Sequence, residues 1–333
     1  MASLFNPQFQ IVSDLHLETP LLQPSYQNFQ LNPRASYLCL LGDIGLVKDA
    51  GLFSFLERLL KCTSNLTIFY ILGNHEAYGM TLERAHNILS TFASRMEPMY
   101  GRRLIIMNRT RYDINSTVTL LGCTLWTYVS SEQASDVSRV LTDFNESRGI
   151  YGWDLSSHLS EHRNDLHWLN DQVTEIQRSE PHRQIFILTH HSPTTDSRAN
   201  DPQHMNSNVR SGFVTDLSME ACWTSPNVRC WAFGHTHYSS QFREESTGKL
   251  VVSNQRGYSS LGGKSQPTVG DMVVEALGAE WEAVKRVEKV FEKRVLQGSR
   301  GEGQVTVKRE EMLKKKEDKK TTMSRVAKWL KKG

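Results

Sequence analysis

Five short groups in this 333-residue chain together hold nine residues of types that bind metal ions. Asp14 and His16 lie in Ser13-Asp14-Leu15-His16, and Asp43 follows Gly42. Asn74 and His75 lie in Gly73-Asn74-His75-Glu76, His190 and His191 are adjacent after Thr189, and His235 and His237 flank Thr236 after Gly234. Carboxylates, imidazoles and one amide oxygen, with no thiolate among them, suit hard to borderline divalent cations such as Mn²⁺, Fe²⁺ or Zn²⁺. A single aspartate can serve two such ions, because each carboxylate oxygen has a lone pair for a separate cation. Taken singly the residues are ordinary: most histidines are surface or satisfied core residues, and Asp or Asn beside glycine usually makes a turn. Their setting argues otherwise.

Each group closes a short apolar run of the kind that forms a buried strand: Gln10 to Ser13, Tyr37 to Leu41, Leu66 to Leu72, Gln184 to Thr189 and Val228 to Phe233. Open α/β sheets place their ligand sites at the carboxyl ends of strands. A sixth run, Val118 to Leu121, reads as a strand without such a group. Between the strands lie helical patterns: Leu52 to Leu60 after Gly51, Leu82 to Phe92 with Thr81 as N-cap, and Ser156 to Arg178. The alternation predicts a layered α/β fold. Leu21 to Pro33 and Thr194 to Pro226 read as loops, the second long enough to be a functional rim. In Gly234-His235-Thr236-His237 both rings reach one site only if the chain curls, and Gly234 is the expected source of that freedom.

Composition narrows the class. With 38% hydrophobic residues the chain is neither disordered nor collagen-like, and no uncharged apolar run is long enough to span a bilayer. The start of the chain lacks the basic and apolar regions of a secretory leader. Five scattered cysteines (Cys39, Cys62, Cys123, Cys222, Cys230) form no C-x-x-C pair and read as reduced thiols. An intracellular, cytoplasmic protein is therefore expected. The net charge of +3 is unevenly spread: after residue 300, eleven Lys and Arg face five acids, which leaves the rest slightly acidic. Trp281, Val284, Val287, Phe291 and Val295 predict an amphipathic helix over 279–298, followed by a basic tail over 299–333.

Asp-x-His, Gly-Asp, Gly-Asn-His-Glu, a single His and Gly-His-x-His, in this order from Asp14 to His237, resemble the calcineurin-like metallophosphoesterase superfamily. The resemblance implies a two-layered β-sandwich flanked by helices (αββα) over residues 1–278, with a dinuclear metal centre at one edge. It implies Asp14, His16 and His237 on one metal, Asp43 bridging, and Asn74, His190 and His235 on the other, with His75 facing the leaving group. For the fourth group it favours His190, directly after the strand, and puts His191 beside the pocket. The implied activity is hydrolysis of a small phosphate ester by attack of a metal-bridging hydroxide. Departures from the protein Ser/Thr phosphatase branch, which carries Gly-Asp-x-Val-Asp-Arg-Gly, leave a phosphodiesterase as the first expectation. A nuclease and a non-catalytic phosphate-binding scaffold are the alternatives.

Among residues outside the motifs, Arg256 is a candidate phosphate contact or a structural ion pair. Tyr78 is a candidate for stacking on a nucleobase or leaving group, whereas Trp126 reads as core. Asp143 and Asn145 fit a helix cap and a site contact equally well. The Lys314 to Lys320 cluster fits a solvated extension, contact with nucleic acid or an anionic surface, or a nuclear-import signal.

Overall fold

The computed structural model describes residues 6–258 and 271–285. Its framework is two six-stranded sheets packed face to face. In the first, β1 (Gln8–Val12), β2 (Tyr37–Leu41), β3 (Thr67–Ile71) and β4 (Leu104–Ile106) run parallel. The antiparallel hairpin of β11 (Met272–Leu277) and β12 (Glu280–Lys285) extends this sheet beyond β1. In the second, β6 (Val118–Cys123), β7 (Gln184–Thr189), β8 (Val228–Phe233) and β10 (Leu250–Ser253) run parallel. Antiparallel β5 (Thr110–Asp113) and β9 (Ser240–Arg243) form its edges.

The period-2 alternation of a strand explains why the inner strands are apolar throughout. On β2, Cys39 and Leu41 face the interior between the sheets, while Leu38 and Leu40 face helices α1 (Ala50–Cys62) and α2 (Leu82–Tyr100). On β7, Phe186 and Leu188 face the same interior, while Ile185 and Ile187 meet α4 (Leu155–Ser179) and the short α5 (Ala221–Thr224). Four layers result, helix–sheet–sheet–helix, as the αββα expectation has it. Helices α2 and α4 start where their capping residues stand: Thr81 accepts from the Arg84 N–H and Asp154 from the Ser157 N–H. A further helix, α3 (Ala134–Val140), and several 3₁₀ turns between residues 142 and 212 lie among the loops.

The expected helix over 279–298 is not what the structure shows at its start. Residues 280–285 form β12, joined to β11 by a two-residue turn in which Gly278 takes φ 64°. The helical spacing of Trp281 and Val284 loses to sheet pairing, because Trp281 on β12 buries its ring against Phe9 and Phe186 between the sheets. The layered domain therefore reaches at least Lys285 rather than ending at 278. The remainder of that expected helix and the basic tail over 299–333 lie outside the described residues.

Candidate metal centre

The loops that leave β1, β2, β3, β7 and β8 meet at one end of the sandwich and are tied by backbone bonds. Asp14 N–H donates to the Gly42 carbonyl at 3.0 Å, His16 N–H to the Asp43 carbonyl at 2.9 Å, and Gly234 N–H to the His190 carbonyl at 2.8 Å. Glu76 clamps two of these loops: its buried carboxylate accepts from the N–H groups of Asp43, Ile44 and Gly73 and from the Tyr70 hydroxyl, at 2.7–2.9 Å. The turns are tight enough to force unusual backbone. Asp14, His16, Asp43, His235 and His237 all take positive φ, between 46° and 69°. Such conformations cost about 1–3 kcal/mol each and collect where function requires them.

The curl of the last group is thus made by His235 and His237 themselves, and Gly234 serves a different need from the one expected. Its φ is not positive; a Cβ there would lie 2.0 Å from Ser13 Oγ and 2.7 Å from Asp14 Oδ2. Gly234 is required because two loops touch at that point.

The donors gather in two groups around Asp43. Asp14, His16 and His237 form one, with His16 Nε2 2.9 Å from His237 Nε2 and His237 Nε2 3.5 Å from Asp14 Oδ1. Asp43, His190 and His235 form the other, and Asn74 Oδ1 adds to it at 3.1 Å from His190 Nε2. Asp43 presents a different oxygen to each: Oδ2 lies 3.8 Å from His16 Nε2, and Oδ1 3.5 Å from His190 Nε2. The structure also distinguishes the two adjacent histidines. His190 Nδ1 donates to the Leu41 carbonyl at 2.8 Å, which leaves Nε2 bare toward Asp43. His191 is buried behind His235, its ring 4.1 Å from that ring and 5.1 Å from Trp126, and does not line the cavity it was expected to border.

These residues fit divalent cations. The buried His235 Nε2 has no hydrogen-bond partner among the described residues. Burial pushes His16 and His190 down to about 4 and His235 well below its ordinary value, so the rings are neutral and able to ligate. Burial, Glu76 and Asp14 together push the Asp43 carboxyl well above the carboxylate range. An ionised Asp43 therefore needs nearby positive charge, which a cation supplies.

Beside the centre opens a cavity of about 460 Å³, lined by His75, Tyr78, Leu141, Arg210, Phe213 and Tyr258 among others. The long stretch after Thr194, read as a rim, supplies one wall of it. One expected contact is placed otherwise. Arg256 donates to the Leu15 carbonyl at 2.9 Å and lies over the Phe29 ring, turned away from the cavity. Tyr78 lines the cavity, with its ring 4.4 Å from the His75 ring and tilted 35° to it.

Three residues of the site were not assigned from sequence. Asp143 is buried and accepts from Asn74 Nδ2 at 2.8 Å and from the Tyr78 hydroxyl at 2.5 Å. It thereby turns the Asn74 amide oxygen toward His190; its residue type was noted, but a cap and a site contact look alike in one dimension. Glu18 lies behind His16 and His75. Burial acts to raise its carboxyl, but bonds from both histidines outweigh that and hold it at about 2. Tyr258 places its hydroxyl 3.0 Å from His75 Nε2, a contact that no local sequence signal reveals.

Comparison with known proteins bears on the family and the fold. The chain is 29% identical over 264 residues to an uncharacterized protein of Acanthamoeba polyphaga mimivirus, a match covering 74% of this chain and 90% of that protein. The solved structure of phosphopantetheinyl hydrolase (PptH) from Mycobacterium tuberculosis shares the fold, with a TM-score of 0.58 at 13% identity over 82% of this chain and 96% of that one. The calcineurin-like phosphoesterase (Metallophos) family matches residues 8–239, which include every donor named above. By that match and its Asp/His clusters, the chain belongs to the calcineurin-like phosphoesterases, a family of metal-dependent phosphoester hydrolases.

Proposed function

We propose that the protein hydrolyses a small phosphodiester with two divalent cations, Mn²⁺, Fe²⁺ or Zn²⁺. Asp14, His16 and His237 would hold one, Asn74, His190 and His235 the other, and Asp43 both. The observation that carries this reading is the Asp43 carboxylate, with one oxygen toward each donor group. When bound, a cation pair draws charge from phosphoryl oxygens and makes water a nucleophile at neutral pH. The chain's own residues do the rest. His75 lies at the cavity wall with Nε2 3.9 Å from Asp43 Oδ2, where it can hydrogen-bond or protonate a departing oxygen. Asn74 is kept in register by Asp143, and Glu76 fixes the loop that carries Asp43.

The preference for a diester rests on charge. A monoester presents two negative charges and a diester one. Among the described residues lining the cavity, Arg210 is the one guanidinium or ammonium, and it donates to the Thr195 carbonyl at 2.8 Å. Leu141, Val209 and Phe213 make part of the wall apolar, which suits an organic arm better than a second phosphate charge. Metal analysis with turnover of bis(p-nitrophenyl) phosphate against p-nitrophenyl phosphate tests the reading. Bound metal and higher kcat/KM on the diester are expected. Metal without turnover of either ester would leave a phosphate-binding scaffold, and preference for the monoester would overturn the substrate class.

A further inference from the structure

Glu18 is 3% exposed and does not line the cavity, yet one of its oxygens meets two working side chains. Oε1 lies 3.1 Å from His16 Nδ1 and 3.0 Å from His75 Nδ1. The two rings stand edge to face, 4.5 Å apart, with Glu18 behind them. A carboxylate oxygen only accepts, so both Nδ1 atoms must carry hydrogen, and both Nε2 atoms point away from Glu18. His16 Nε2 faces His237 and Asp43, and His75 Nε2 faces the Tyr258 hydroxyl. The other carboxylate oxygen, Oε2, is buried without a partner among the described residues, where the two imidazoles are the side-chain donors that hold Glu18 in place.

We propose that Glu18 is a positioning residue that sets the tautomer and orientation of a metal-ligating histidine and of the leaving-group histidine through one oxygen. The assignment of those two tasks rests on the function proposed above. The physical consequence is coupling: His16 cannot turn without releasing the acceptor that also holds His75. Groups behind metal-ligating histidines typically contribute about 10–100-fold to metal affinity or activity.

The test uses the full chain, with Glu18→Leu removing the acceptor and Glu18→Gln keeping an acceptor oxygen in its place. Three quantities are read: Mn²⁺ affinity by calorimetry, kcat and KM on bis(p-nitrophenyl) phosphate at saturating Mn²⁺, and ¹⁵N shifts of the histidine rings in metal-free protein. In the wild type, His16 and His75 should both carry hydrogen at Nδ1. Glu18→Leu should weaken Mn²⁺ binding about 10–100-fold and lower kcat with little change in KM. Glu18→Gln should recover most of both. An Nδ1 without hydrogen at either ring in the wild type overturns the proposal without recourse to any variant. So does wild-type affinity in folded Glu18→Leu, or a Glu18→Gln no better than Glu18→Leu. Loss of a whole equivalent of metal in Glu18→Gln would make Glu18 a ligand instead. A wild type that binds Mn²⁺ but hydrolyses nothing would defeat the proposed function, while the affinity and tautomer readings would still decide the role of Glu18.

Discussion

Adding one methyl group at Gly73 should separate folding from function. A Cβ on that residue would lie 2.2 Å from Asp43 Oδ1, 2.6 Å from Asp43 N and 2.7 Å from His190 Cε1. Gly73 does not take positive φ, so alanine's own backbone preferences raise no objection; the conflict is purely one of space. Neither neighbour yields easily. Asp43 Oδ1 accepts from His75 N–H, its own N–H is held by Glu76, and His190 is held by the Leu41 carbonyl. Restoring ordinary contact requires the carboxylate to move by about 1 Å, and a displacement of that size near reacting groups costs roughly 100-fold in rate. Overpacking of a tight site costs about 1–3 kcal/mol, and each kcal/mol lowers Tm by about 2–4 °C in a domain of this size. Gly73→Ala is therefore expected to fold with a modestly lower Tm, to lose metal affinity, and to fall about 100-fold in kcat. Gly101→Ala is the control. That residue ends α2 at φ 72°, and a Cβ there would meet none of the described residues within 4 Å, so alanine should cost about 1–2 kcal/mol of backbone strain and leave kcat unchanged. The assay is scanning fluorimetry, metal content and Mn²⁺-dependent turnover on the same preparations. Wild-type metal content and kcat in Gly73→Ala would refute the claim that the Asp43 position is fixed by contact with this loop.

Asp43→Asn offers one acceptor oxygen in place of two, so metal content should fall in both groups and turnover should be lost; unchanged activity would remove the bridging role. His190→Ala should lower metal content, whereas His191→Ala, behind the donors, should retain it while lowering Tm; the reverse pattern would exchange their assignments. In metal-free protein the stability should also depend on pH through His158. Burial, with His162 adding to it, pushes this histidine down to about 3 in the folded state, against about 6.5 when unfolded. Between those values the unfolded chain binds the extra proton, so stability is greatest above pH 6.5 and falls as the pH drops toward 3. His158→Phe, which cannot titrate, should flatten thermal-denaturation slopes in that window, and an unchanged slope would show that the ring is not kept neutral.

The polypeptide by itself determined where the donors are and what chemistry they suit. Apolar runs ending in Asp, Asn or His are readable because strand burial and metal ligation impose residue type directly, and β2, β7 and β8 begin and end where those runs do. Their residue types could not reveal contacts made between distant loops. The choice between His190 and His191 depends on which ring has its Nδ1 against Leu41, and the space for Gly234 depends on Ser13, more than two hundred positions away. Glu18, Asp143 and Tyr258 were assigned no role because a carboxylate or phenol shows no periodicity that marks what it will face. Arg256 misled for the same reason: a guanidinium suits a phosphate, yet the fold spends it on the Leu15 carbonyl and the Phe29 ring. At residues 280–285 helical spacing was outweighed by the burial of Trp281 between the sheets, which exists only once both sheets have formed. Local pattern specifies residue type and strand end; the packing of the loops selects which nitrogen, oxygen or ring faces the site.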